Sequence, residues 1–405
     1  MVSTRRKSKR RPCHVWLDGS ASPHCLLGCF DLIASISRVV DSPHPALGSL
    51  PHHTWPQRLH FASPQTALVS TIITRLSARF HEWAEGSGAI STGDADEHAH
   101  RLSVFRDNLR RARRHQRLDP SAVHGITKFS DLTPDEFRER FLGLRKSRRS
   151  FLKGISGSAH DAPALPTDGL PTEFDWREHG AVGPVKDQGS CGSCWSFSTS
   201  GALEGANYLA TGKLEVLSEQ QLVDCDHQCD PSEPRACDAG CNGGLMTTAF
   251  SYLAKAGGLE TEKDYPYTGR NSACKFDKSK IAAQVKNFST VAIDEDQIAA
   301  NLVKHGPLAI GINAVFMQTY IGGVSCPYIC GRHLDHGVLL VGYGSAGYAP
   351  LRFKEKPYWI IKNSWGENWG ESGYYKICRG PHVKNKCGVD SMVSTVTAIH
   401  TSKKE

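Results

Sequence analysis

Between residues 97 and 116 the positions that share a face recur at helical spacing. Glu97, Arg101, Phe105, Asn108, Ala112 and Gln116 are separated by steps of four, four, three, four and four, and Pro120 ends the run. A second helical register follows Cys194, where Trp195, Phe197, Ala202, Leu203, Ala206 and Leu209 recur near the same period. Ser218-Glu219-Gln220-Gln221 reads as a capping box opening a short helix that runs to Cys225. After about residue 285 the pattern changes to alternating, glycine-rich segments. Val338-Leu339-Leu340-Val341-Gly342-Tyr343-Gly344 has the length and composition of a buried strand. Helices come first and strands after them, so the predicted class is α+β.

Length and charge narrow this picture. A chain of 405 residues has room for two or three domains and an ample core. The formal charge of +7 is unevenly placed. Residues 97–160 carry 15 Lys/Arg against 7 Asp/Glu, a net of +8; residues 170–405 carry 23 against 25, a net of −2. The C-terminal region therefore offers no nucleic-acid footprint, and Arg110-Arg111-Ala112-Arg113-Arg114 reads as a solvated helix face. Ser147 to Pro166 is basic, then Gly-, Ser-, Ala- and Pro-rich, as an exposed processing linker is. Residues 1–60 are rich in Pro, His and Ser. Arg5-Arg6-Lys7-Ser8-Lys9-Arg10-Arg11 is basic enough to open a signal peptide, but the apolar stretch from Cys25 to Phe30 is short and is cut off by Asp31 and Arg38. No signal peptide or membrane span is legible, and the N-terminus reads as atypical or misassigned.

The candidate chemistry centres on Gln188-Gly189-Ser190-Cys191-Gly192-Ser193-Cys194-Trp195. Cys191-x-x-Cys194 alone would suit a redox pair, but no short βαβ pattern surrounds it. A thiol becomes a strong nucleophile when an imidazole takes its proton. His336 lies 142 positions on (336 − 194) and Asn363 lies 169 on (363 − 194), inside Leu334-Asp335-His336-Gly337 and Asn363-Ser364-Trp365-Gly366. An amide side chain can accept a ring N–H and fix the tautomer. A cysteine at a helix start also gains from the dipole, which favours the thiolate.

Cys, His and Asn in this order, each in its own motif, resemble a papain-type cysteine protease, whose His and Asn lie about 130–150 residues beyond the nucleophile; His336 falls inside that window and Asn363 somewhat beyond it. The resemblance covers residues 97–131 and about 170–395. The 97–116 face resembles the helix motif of papain-family propeptides, in the variant that points to the cathepsin F-like branch and is closest to plant vacuolar members. Gly125-Ile126-Thr127-Lys128-Phe129-Ser130-Asp131 resembles a second propeptide motif. The aromatic-rich helix that usually precedes it is only faint, around Phe80-His81-Glu82-Trp83. By the same resemblance residues 133–169 cross the cleft and then link to the enzyme, and Leu170-Pro171-Thr172-Glu173-Phe174-Asp175-Trp176-Arg177 resembles a mature N-terminus.

The resemblance implies a papain-like two-domain fold, with a helical left domain, a β-barrel-like right domain and a helical propeptide before them. The expected division is an atypical segment at 1–60, an inhibitory propeptide domain at 61–145, a processing linker at 146–169, a catalytic domain at 170–395 and a tail at 396–405. The implied activity is a cysteine endopeptidase made as a zymogen; the alternative is a catalytically silent homologue or a propeptide-type inhibitor. By the same resemblance Cys194, His336 and Asn363 are catalytic, and Gln188 supplies the oxyanion hole beside the Cys194 backbone N–H. Gly243 and Gly244 would let a substrate backbone approach closely. Leu245, Met246, Leu334, Gly337 and Met392 would line the S2 pocket, and Trp365 would border the substrate. These residues favour an apolar P2 side chain and leave a P2 Arg without a counter-charge.

Of the 14 cysteines, eleven lie after residue 190, and setting Cys194 aside leaves ten. The resemblance implies Cys191–Cys241, Cys225–Cys274 and Cys330–Cys387. Cys229, Cys237, Cys326 and Cys378 allow three connectivities, of which Cys229–Cys237 with Cys326–Cys378 is favoured. Their irregular spacing argues against a zinc site, so no metal and no cofactor are expected. Such disulfide density implies a vacuole, a lysosome or the cell exterior. Asn287-Phe288-Ser289 is a glycosylation sequon. Expected partners are protein and peptide substrates, the chain's own propeptide and cystatin-type inhibitors, with no nucleic acid, no membrane span and a monomeric state.

Overall fold

The structure is a computed structural model and describes residues 78–84, 95–145, 161–231, 233–345, 356–380, 383 and 386–399. The N-terminal segment 1–60, linker residues 146–160 and tail residues 400–405 lie outside the described residues.

The predicted first helix is α1, Ala95–Leu118. Asp96 and Glu97 occupy its first turn and His115 and Arg117 its last, matching the helix dipole at both ends. Each identity on its periodic face has a use. Arg101 pairs with Glu97 at 2.6 Å and with Glu136 at 2.8 Å. Asn108 Nδ2 donates to the carbonyls of Ser130 (2.8 Å) and Leu132 (2.7 Å). Gln116 Nε2 donates to the Ala122 carbonyl, and its Oε1 accepts from His124 N–H. The faint aromatic helix is helical over 78–84, where Phe80 and Trp83 pack on Phe105 at 5.3 and 5.4 Å between centroids. Strand β1, Ala122–His124, comes next, and then α2, Pro134–Phe141. Thr133 caps α2 with a complete capping box to Glu136.

Helix α3, Cys194–Thr211, is buried along most of its length and ends at Gly212, whose φ of 73° supplies the left-handed cap. The box expected at Ser218 is half made. Ser218 caps α4, Glu219–Cys225, by accepting from Gln221 N–H. The Gln221 side chain turns instead to Gly258 O and Glu260 N, tying α4 to the neighbouring strand.

The β-rich half is built on β2 (Val285–Thr290), β3 (Leu308–Ile312), β4 (Tyr320–Ser325), β5 (His336–Gly344), β6 (Tyr358–Lys362), β7 (Tyr374–Cys378) and β8 (Val393–Ala398). They form the run β4-β7-β6-β5-β3-β8-β2 of a nine-stranded sheet, and β1 adds antiparallel to β4 at one end. Strand β5 explains its own unbroken apolar run. Val338 and Leu340 enter a core with Ile310, Ile312 and Trp359, while Leu339 and Val341 enter another with Trp195, Leu203 and Phe250. A strand buried on both faces has no polar side to alternate with. The structure pairs Cys191–Cys241, Cys225–Cys274, Cys229–Cys237, Cys326–Cys378 and Cys330–Cys387, and leaves Cys194 as a free thiol.

Candidate active site

Cys194 is the first residue of α3 and His336 the first of β5; Asn363 directly succeeds β6. Helix start and strand ends thus converge on one place. His336 Nε2 lies 2.7 Å from Asn363 Oδ1. An amide oxygen only accepts, so Nε2 carries the proton and Nδ1 keeps its lone pair. That buried Nδ1 has no hydrogen-bond partner. Trp365 stacks on the imidazole at 4.6 Å and is itself fully buried, which keeps water from the His336–Asn363 bond.

Cys194 Sγ accepts from the backbone N–H of Gly337 at 3.3 Å and of Gly143 at 3.2 Å. Burial pushes its pKa up to about 11, although both N–H groups pull it down. Burial pushes His336 down to about 4, opposed by Asn363. Thiol and imidazole are therefore both neutral in this state. Burial outweighs these N–H groups, so the neutral thiol is favoured while residue 143 covers the sulfur. Next door, burial raises Asp335 to about 6 against the pull of the Ala314 N–H.

Gln188 is held on several sides. Its N–H donates to Ser364 O at 2.9 Å, and its Oε1 accepts from Ser364 Oγ at 2.7 Å. Nε2 spends one hydrogen on Cys191 O (2.7 Å) and the other on Phe141 O (3.1 Å). The Cys194 N–H, at the first position of its helix, has no intrahelical acceptor.

Residues 141–145 cross this centre. Gly143 O accepts from Gly244 N–H at 2.9 Å, Arg145 N–H donates to Gly244 O at 3.1 Å, and Leu144 N–H donates to Asp335 O at 3.2 Å. Leu144 pairs with Gly244 as a parallel bridge. A Cβ at Gly143 would overlap the Gly192 carbonyl, so only glycine passes there. Gly243, at φ 104°, likewise needs to be glycine. The Leu144 side chain is buried in one apolar cluster with Leu245, Met246, Leu334 and Met392. A Cβ on Gly311 would lie 2.9 Å from Leu144, 3.1 Å from Leu334 and 3.4 Å from Met392 Sδ, so these three side chains converge over its bare backbone. Gly337 stands apart from that group: its N–H faces the thiol, and its Cα packs against the Cys194 backbone.

Sequence reasoning did not single out Phe141, Gly143 and Leu144 within the cleft-crossing stretch 133–169, nor Gly311 beneath Leu144, nor Ser364 bonded to Gln188. A glycine inside the apolar run Leu308–Ile312 was a usable signal for the pocket floor. The groups that could hold a metal ion number none among the described residues.

A buried free thiol, an amide-held imidazole whose next residue faces that thiol, and a chain segment laid over the sulfur define a cysteine peptidase in its latent state. The family model described as papain family cysteine protease matches residues 170–397, and the cathepsin propeptide inhibitor domain model matches 90–137. The chain belongs to the papain family of cysteine proteases, and is a cysteine endopeptidase zymogen carrying its own inhibitory propeptide. Cysteine proteinase 1 of Zea mays is 81% identical over 310 residues, covering 76% of this chain and 84% of that protein. Cathepsin F of Drosophila melanogaster is 45% identical over 300 residues, 73% of this chain and 46% of that protein. Among solved structures, digestive procathepsin L2 of Tenebrio molitor larval midgut aligns with a TM-score of 0.67 at 33% identity, covering 80% of this chain and 99% of that one.

Proposed function

We propose that Cys194 is the nucleophile, His336 its base and then its acid, Asn363 the group that fixes the imidazole, and Gln188 with the Cys194 N–H the oxyanion hole. The carrying observation is the occupant: the Phe141 carbonyl sits on Gln188 Nε2 while the Gly143 N–H sits on Sγ. When residues 141–145 leave, one Nε2 hydrogen is freed to act with the Cys194 N–H, which has no intrahelical acceptor. His336 Nδ1 then takes the thiol proton, and Sγ attacks the peptide carbonyl carbon. The carbonyl π-bond electrons move onto oxygen, which the two N–H donors stabilise. Collapse breaks the C–N bond as His336 gives its proton to the leaving amine, leaving a thioester. Water, deprotonated by His336, attacks that thioester, and the thiol leaves with its proton restored.

Leu144 marks the S2 pocket of Leu245, Met246, Leu334 and Met392, with Gly311 as its floor, and supports a preference for an apolar P2 residue. Gly243 and Gly244 receive the substrate backbone, and Trp365 borders it. The propeptide reading spans 61–145, the linker 146–169 and the catalytic domain 170–395. The five disulfides support an oxidising home, in a vacuole or lysosome or outside the cell. No helix among the described residues is long and apolar enough to cross a membrane. Asn287 is exposed on strand β2, where a glycan is accommodated. Cystatin-type inhibitors are the expected partners of a monomeric mature enzyme. Gln188→Ala should lower kcat by about 10²–10³-fold with KM nearly unchanged. A change confined to KM would assign Gln188 to substrate positioning instead.

A further inference from the structure

Ser193 stands at the N-cap of α3, where a serine hydroxyl ordinarily accepts from the first-turn amides. Here its backbone (φ −97°, ψ 13°) is not extended, and its hydroxyl makes no cap bond. Ser193 Oγ lies instead 2.6 Å from Tyr267 Oη. Tyr267 Oη donates to the main-chain carbonyl of Gln188 at 2.8 Å. A carbonyl can only accept, so the phenol proton is committed there and the Ser193 hydroxyl must donate to Tyr267. The chain of donation runs one way, from Ser193 through Tyr267 to Gln188.

This tie joins the residue before one oxyanion donor to the backbone of the other. Ser193 precedes Cys194, whose N–H is the first donor, and Gln188 carries the second. The Ser193 hydroxyl therefore makes no bond to the first-turn amides, and the Ser196 N–H is taken by the Ser193 carbonyl at 2.8 Å instead. Tyr267 is itself rigidly placed. Its ring meets Phe197 edge-on at 4.9 Å, and its N–H donates to Glu262 Oε1 at 2.8 Å. It arrives from a segment remote in sequence, and its hydrogen bonds go to Ser193, Gln188 and Glu262. We propose that Tyr267 is a positioning residue for the oxyanion hole: its hydroxyl sets the spacing between the Gln188 amide and the Cys194 N–H.

The inference rests on the oxyanion reading of Gln188, and one set of variants separates the two. On processed enzyme, Tyr267→Phe keeps the ring against Phe197 and removes only the hydroxyl. kcat on a peptide amide should fall about tenfold, the scale of one neutral hydrogen bond, with KM unchanged. Alkylation of Cys194 by iodoacetate should keep its rate and its pH profile, because that displacement forms no oxyanion. In a Gln188→Ala background, adding Tyr267→Phe should cost at most about twofold, since the donor it positions is gone. Equal losses of kcat and alkylation rate, or an undiminished tenfold loss in the Gln188→Ala background, would show a general structural role and overturn the proposal. A Gln188→Ala enzyme with normal kcat would overturn the oxyanion reading as well; a slow Gln188→Ala beside a normal Tyr267→Phe would overturn the positioning role alone. If Tyr267→Phe does not fold, Ser193→Ala cuts the other end of the tie and must show the same selective loss of kcat; wild-type kcat there rejects the proposal.

Discussion

At Cys194 burial and hydrogen bonding pull in opposite directions, and burial wins while the propeptide is docked. With the thiol raised to about 11 and His336 lowered to about 4, both are uncharged throughout the physiological range. Rehydration on processing removes the larger opposing effect and leaves the Gly337 N–H and the helix start to favour the thiolate. Iodoacetamide should therefore alkylate Cys194 in the zymogen at least about 10²-fold more slowly than in the mature enzyme at pH 7. Comparable rates would mean that the ion pair already exists under the propeptide. At the pocket, Met392 Sδ and Leu334 lie against the place that Leu144 fills, so the side chains that meet over Gly311 are apolar. A buried guanidinium without a partner costs several kcal/mol, so P2 Leu peptides should be cut about 10²-fold or more faster than matched P2 Arg peptides. Met392→Glu should raise P2 Arg cleavage selectively; equal wild-type cleavage of both series would put the pocket elsewhere.

At the scale of elements, the contact of α1 with the catalytic half carries a proton-sensitive junction. The Asp119 carboxylate is fully buried and accepts from Ser325 Oγ and Cys326 N–H, and it lies 3.1 Å from His124 Nε2. His124 Nδ1 lies 3.0 Å from the Thr319 hydroxyl. Thr319 Oγ1 also lies 2.8 Å from His115 Nδ1. Burial, with His124, Arg111 and Arg114 nearby, lowers His115 to about 3 against an ordinary 6.5. Undocked, His115 titrates near 6.5, so the docked state binds fewer protons between those values. Docking is thus strongest above pH 6.5 and weakens as pH falls through that window, by at most about tenfold per pH unit. His115→Gln stays uncharged and should make acid acceleration of zymogen processing shallower between pH 6.5 and 4.5. An unchanged pH profile would exclude His115 as a sensor.

The same elements show what a sequence can disclose. The α1 face is legible because Arg101, Asn108 and Gln116 each reach a partner with a specific side chain at a helical interval. Cys194, His336 and Asn363 are legible because each sits where an element begins or ends, inside a short distinctive motif. The crossing is legible as the stretch 133–169 but not to the residue, because residues 141–145 make it largely with main-chain N–H and C=O groups that any residue supplies. Tyr267 and Gly311 escape for a related reason: one works through its hydroxyl on a distant carbonyl, the other by lacking a side chain.

Over the whole molecule, the charge split of +8 against −2 favours docking, yet magnitudes assign most of the hold to apolar contact. Lys128 pairs with Asp187 at 2.6 Å, but both side chains are about one-third to one-half exposed, 30% and 44%. Such a pair contributes about 0–1 kcal/mol. Phe129 and Phe137, both buried, meet Trp365 edge-on at 5.1 and 5.3 Å. Removing a buried Phe costs roughly 3–5 kcal/mol. Phe137→Ala should let the zymogen process at pH values where wild type is latent, whereas Lys128→Ala or added salt should shift that threshold little. A larger effect of Lys128→Ala than of Phe137→Ala would make charge attraction the main hold.

Strand β1 does more than lie beside β4. While it is in place, it closes one margin of the nine-stranded sheet, with Ala122 opposite Gly323 and Val123 opposite Gly322. Processing strips it away and turns β4 into an open margin, with unpaired amides that could recruit another chain. The sequence of that margin discourages such recruitment. Gly323, at φ 80°, breaks the extended run in its middle, and a side chain there would strike Ser121 and Ala122. Two adjacent glycines also leave the strand little apolar surface to offer. Maturation thus exposes a border that the precursor never shows, and the glycines that let the propeptide nestle against it make it a poor template once the propeptide has gone.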